Sequence, residues 1–143
     1  MGFKLGSTLK QIAQQGEVQN KMRFNQEDAS VPGTPIIRTK LEKGILGEAN
    51  ADGSIFISEN IEPGSFQERQ TLKHEMVHAK DMRISPNKLS YGDDYVRYNG
   101  ETYMRKQIRG KDMILFEGQW IEAGEDGKGG FPWEDEANQQ AMI

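Results

Sequence analysis

Both histidines of this chain fall within five residues, His74-Glu75-Met76-Val77-His78. Scattering two histidines and 14 glutamates at random would produce His-Glu-x-x-His in roughly one or two chains per thousand of this composition, and the pattern has a known chemistry. On a helix, at about 100° per residue, His74 and His78 differ by about 40° and stand one turn apart, so two imidazole nitrogens can reach one ion. Glu75 lies on the adjacent strip, beside such an ion rather than among its ligands. It is placed to take a proton from a water whose pKa zinc lowers to about 7. These residue types point to Zn2+ as cofactor and to hydrolysis as its use.

Two histidines need a third protein ligand, with the fourth position left to water. The chain has no cysteine and no further histidine, so the third donor must be a carboxylate. Asp81 shares the helical face but lies only three residues past His78. It is better placed to orient a ligand's second ring nitrogen, or an arginine, than to complete the coordination. The stretch Trp133-Glu134-Asp135-Glu136-Ala137-Asn138 is the more promising source. Leu72, Met76 and Ala79 form the opposite strip of the helix, which should face the core and leave the histidine strip at the floor of a cleft.

The elements that must position these groups are marked locally. Ser65-Phe66-Gln67-Glu68, after Pro63-Gly64, has capping-box spacing and predicts a helix from about Phe66 to about Arg83, limited by Pro86. Ahead of it, Ile36-Ile37, Leu41, Gly44-Ile45-Leu46-Gly47 and Ser54-Ile55-Phe56-Ile57-Ser58 read as strands, the last entered through a turn at Asn50-Ala51-Asp52-Gly53. After it, Tyr95 to Glu122 alternates like a β-meander, with turns at Asn99-Gly100, Arg109-Gly110 and Glu117-Gly118. A glycine-rich connector over 124–130 leads to Pro132, a first-turn proline, and a closing helix from Trp133 to Met142. Residues 1–34 are amide-rich and read as an arm, with Leu5, Leu9 and Ile12 on one weak helical strip that could dock on a larger assembly. The expected fold is α+β, with an N-terminal arm (1–34) and one domain (35–143). That domain holds a small mixed or antiparallel sheet packed on the histidine helix, a β-meander insert (91–130) and a C-terminal ligand helix.

With both motifs on the page, the chain resembles a minimal zincin metallopeptidase of the gluzincin type, over about residues 35–83 and 131–143. Members carry His-Glu-x-x-His on one helix and a glutamate ligand on a later one, often within Glu-x-x-Ala-Asp or Glu-x-x-Ala-Asn. Glu134-Asp135-Glu136-Ala137-Asn138 matches the second pattern, so the resemblance assigns the third ligand to Glu134, with Glu136 as the alternative. It also implies an edge strand that binds extended substrate by its backbone, and Ile55, Phe56 and Ile57 have the right place in the order. The extended third-histidine pattern of metzincins is absent, its position falling at Ile84-Ser85. Tyr91, Tyr95, Tyr98 and Tyr103, with Trp120 and Trp133, read as packing aromatics rather than substrate contacts.

Composition bounds the rest. The 143 residues carry 18 Lys+Arg against 22 Asp+Glu, net −4, which argues against gripping nucleic acid or an anionic membrane. No apolar run approaches the roughly 20 residues of a membrane span, and no secretion signal opens the chain. The expectation is a cytoplasmic metallopeptidase acting on a protein or peptide. The size, the arm and the meander also resemble compact peptidase-like proteins of tailed bacteriophages. The alternative is therefore a structural or assembly protein, such as a virion component, that retains the zinc site.

Overall fold

The computed structural model describes residues 2–13, 27–28, 31–83, 88–123 and 130–141. The amide-rich stretch 14–26, Ser30, Pro86, the Ile84-Ser85 position, most of the 124–130 connector and Met142 lie outside the described residues. In chain order the elements are β1 (Gly2–Leu5), α1 (described over 9–13), β2 (Glu27–Asp28), β3 (Val31–Thr39), β4 (Ile45–Ala49), β5 (Ile55–Ser58) and α2 (Phe66–Arg83). There follow β6 (Leu89–Tyr91), β7 (Tyr95–Tyr98), β8 (Glu101–Ile108), β9 (Lys111–Phe116), β10 (Gln119–Glu122) and α3 (Pro132–Ala141). The fold is α+β, as composition and periodicity imply, but it holds two five-stranded sheets rather than one small sheet and an insert.

The first sheet runs β1-β4-β5-β3-β2 and is mixed. Strands β4 and β5 form the expected hairpin, closed by Asn50 N–H donating to Ser54 O at 2.8 Å. Alternation on β4 buries Ile45, Gly47 and Ala49 and leaves Leu46 and Glu48 half-buried, and α2 packs on this hairpin. Ile36, Ile55, Ile57, Ile61, Met76 and Ala79 form the core between sheet and helix. Strand β3 begins at Val31, inside the stretch expected to be an arm. Residues 36–39 pair with β5, while Val31 and Pro35 pair only with the short β2, so Pro32 falls where the ladder needs no donor toward β5.

The second sheet is the meander β10-β9-β8-β7-β6. Asn99 and Gly100, at φ 51° and 84°, make the primed turn that matches strand twist, and Arg109-Gly110 and Glu117-Gly118 repeat it. The sheet starts at Leu89, ahead of the expected boundary, because the three-residue β6 is too short to show a period. A second core gathers Leu89, Tyr91, Val96, Ile114, Phe131 and Trp133, with the Phe131 and Trp133 rings stacked 4.9 Å apart. Leu5 is buried in that same core.

Leu5 overturns part of the arm expectation. Strand β1 pairs in parallel with β4, and Gly6 N–H donates to Ala49 O at 2.9 Å. Thr8 Oγ1 donates to Asp93 Oδ1 at 2.5 Å, and Ser7 N–H donates to Asn50 Oδ1 at 2.7 Å. The Leu5/Leu9/Ile12 strip does not form, since Leu5 lies in a strand and Leu9 is 64% exposed. No helix among the described residues is long and apolar enough to cross a membrane. If the first residues belong to the core, Leu5→Ala should destabilise the protein by about 2–5 kcal/mol in denaturant titration; a change within about 0.5 kcal/mol would return them to the status of an arm.

Candidate metal centre

Helix α2 starts where its cap places it. Ser65 Oγ accepts from Glu68 N–H at 3.1 Å, and Glu68 Oε1 accepts from Gly64 N–H at 3.0 Å. Eighteen residues follow, which sets His74, Glu75 and His78 about halfway along the helix. Their strip faces α3, while Met76 and Ala79 face the first sheet. The helix is therefore covered on both sides. His74, Glu75 and His78 are 1%, 0% and 0% exposed, so the histidine strip is enclosed rather than at the floor of an open cleft.

Helix α3 brings the carboxylate. Glu134 Oε1 sits 2.8 Å from His74 Nε2 and 2.9 Å from His78 Nε2. Asn138, one turn further along α3, places its Oδ1 2.9 Å from His74 Nδ1. An amide oxygen accepts, so this contact takes a hydrogen from His74 Nδ1 and fixes the orientation of the ring. Both Glu134 separations are hydrogen-bond distances, so Glu134 Oε1 accepts from whichever ring nitrogen carries a hydrogen. His74, Glu75 and His78 form a cluster that could hold a metal ion, their donor atoms within 4.8 Å of one another. Glu134 joins this cluster through its contacts to the two ring nitrogens.

Glu75 is held differently from the others. Neither of its carboxylate oxygens has a hydrogen-bond partner among the described residues. Burial pushes its carboxyl well above the usual range, and the Glu134 and Glu48 carboxylates push it further. It packs against the backbone of β4 at Gly47, where a Cβ would lie 2.8 Å from Thr71 Cγ2 and 3.1 Å from Glu75 Oε2. For Glu134, burial raises the carboxyl, but the charge of His78 and the bonds from both rings outweigh it and hold it at about 2.

The remaining residues singled out from sequence lie elsewhere. Asp81 makes no hydrogen bond to His78, whose Nδ1 is unpartnered among the described residues. It stands instead beside Glu136, which forms an ion pair with Lys88 Nζ, and burial followed by the Glu136 contact raises the Asp81 carboxyl to about 7. Glu136 thus faces Asp81 and Lys88, away from the histidines. Ile55, Phe56 and Ile57 lie in β5, paired on one side by β4 and on the other by β3, so this strand has no free edge for a substrate. Tyr91 and Tyr98 are buried, Tyr103 packs on Phe116 and Trp133, and Trp133 is a core anchor.

Two contributors escaped the sequence reading, and each left a signal. A glycine inside a strand pattern marks close backbone approach, which is the condition at Gly47. The i, i+4 spacing of Glu134 and Asn138 puts both on one helical strip. A scan against family models, a search of curated proteins and a search of solved structures return no match.

Glu48 follows Gly47 and gives the region a pH signature. Burial raises its carboxyl to about 7, against the smaller opposing pull of Lys4. Its unfolded pKa lies near 4.5, so the stability it contributes is full below that value and is lost as pH rises through about 7. Metal-free protein should therefore lose part of its thermal stability between pH 5 and 8, and Glu48→Gln should flatten that decline. Parallel melting curves for parent and variant across this range would remove the assignment.

Proposed function

We propose that this chain is a zinc-dependent peptide-bond hydrolase. The observation that carries the reading is Glu75: a buried carboxyl whose oxygens have no partner among the described residues, clustered with His74 and His78 where a metal ion could be held, with Glu134 Oε1 against both rings. Leaving such a group unsatisfied costs several kcal/mol, and a purely structural metal site has no use for it. His74, His78 and Glu134 would hold the ion, and Asn138 would fix the His74 ring. A bound zinc supplies Lewis acidity toward a carbonyl and lowers the pKa of water to about 7. Glu75 takes the proton from the attacking water at its carboxylate and returns it to the leaving amine. Its raised proton affinity suits that return, and a cation held by the neighbouring residues would lower that affinity.

A second reading draws on the enclosure of the site: a structural or assembly protein, such as a virion component, in which the ion staples α2 to α3. The readings diverge at Glu75, because a staple needs the ligands but no base.

Glu75→Gln preserves shape and removes the base. It should retain zinc near one ion per chain while hydrolysis of a peptide library falls about a hundredfold to ten-thousandfold. Equal cleavage by the two proteins would refute the mechanism, and a parent inert toward every peptide would favour the staple. Separately, Glu134→Ala should weaken zinc binding far more than Glu136→Ala, measured by competition with a chromogenic chelator. Equal losses would displace Glu134 from the ligand set.

A further inference from the structure

The enclosed site raises the question of how anything larger than water reaches it. Glu75 touches the first sheet at Gly47 of β4, so the lane beside that strand is the sheet position from which an extended peptide, paired by its backbone, comes nearest to Glu75. One side of β4 is taken by β5, and the other by β1, whose Phe3 stands opposite Gly47 in the ladder. Neighbouring strands lie about 4.8 Å apart, so a peptide added outside β1 would run roughly 10 Å from β4. That is beyond the roughly 3 Å reach of a general base. Strand β1 is the edge strand of its sheet, and its outer side pairs with no strand among the described residues.

A second observation comes from the cavities. One small cavity, about 10 Å³, is lined by Lys4 and Leu5 of β1 together with Arg105, Phe131, Trp133 and Glu134. The far end of β1 is well anchored, by Leu5 in the core and by the Gly6 and Ser7 bonds to β4 and its turn. The near end is held by three ladder positions and by Lys4, whose Nζ lies 2.8 Å from the exposed Glu42 and 4.0 Å from Glu48.

Resting on the peptidase reading, we propose that β1 is an autoinhibitory strand: residues 2–4 occupy the peptide-binding edge of β4 and must peel away, with Leu5 as pivot, before an extended peptide can reach the metal centre. The occupant that replaces them is a polypeptide in extended form, paired through its backbone to β4.

The absence of cysteine makes the test clean. Lys4 and Glu48 are ladder partners, so Lys4→Cys combined with Glu48→Cys lets a single disulfide clamp β1 to β4. In zinc-loaded protein the oxidised form should release zinc to excess chelator at least tenfold more slowly than the reduced form. It should also cleave peptides at least tenfold more slowly, with reductant restoring both rates. Equal zinc release in the two forms would overturn the proposal. Gated zinc release in a protein that cleaves nothing would support the cover while sinking the peptidase reading. Should the disulfide not form, deletion of residues 2–4, which keeps Leu5, serves instead. Faster zinc release than the full chain is expected, and an unchanged rate would overturn the proposal.

Discussion

One carboxylate oxygen, Glu134 Oε1, lies within hydrogen-bond distance of two imidazoles from another helix, and the rest of the structure is arranged around that contact. A half-buried carboxylate and two buried rings are stable together only when geometry is close and the charge is balanced. The two helices must therefore be fixed from outside the contact. Helix α2 is seated by Met76 and Ala79 on the first sheet, and α3 by Trp133 and Phe131 in the meander core. Each sheet thus carries one half of the site, and the two halves meet between the helices.

That division accounts for the two cores. A single small sheet under α2 would have left α3 with nothing to bury but Ala137 and Ala141. Its other half-buried positions, Glu134 and Glu136, are committed to polar contacts. The meander supplies the missing apolar surface, and its three tight turns hold Tyr98, Tyr103 and Phe116 within reach of the Phe131–Trp133 pair. Leu5 lies in the same core as Phe131 and Trp133, which ties the start of the chain to α3.

Glu75 is the expensive residue. Its oxygens have no partner among the described residues, its carboxyl resists ionisation, and the backbone at Gly47 is bare to make room for it. Structures keep such a group when it has work to do, and that is the ground for the role proposed for Glu75. The raised Glu48 carboxyl and the Asp81–Glu136 pair show that the ground around both helices is rich in carboxylates. A cation at the centre would relieve that repulsion as well as complete the ligand set.

What the sequence determined by itself was local. Helix spacing put His74 and His78 on one face, the Ser65 cap set the start of α2, Asn99-Gly100 called for a primed turn, and the lack of cysteine left carboxylates as the remaining side chains suited to a metal. Each follows from geometry within a few residues, which a periodic or turn signal records directly. Only the tertiary structure decided which strands became neighbours. Four residues at 2–5 carry no usable period, so nothing local distinguishes an arm from a strand laid against β4, and the burial of Leu5 settles it. The same non-local pairing placed β5 inside the sheet rather than at its edge, set Gly47 against Glu75, and enclosed the histidines under α3. Strand order and enclosure are set by how apolar surfaces far apart in sequence are buried together, and that information is not written in any short window of the chain.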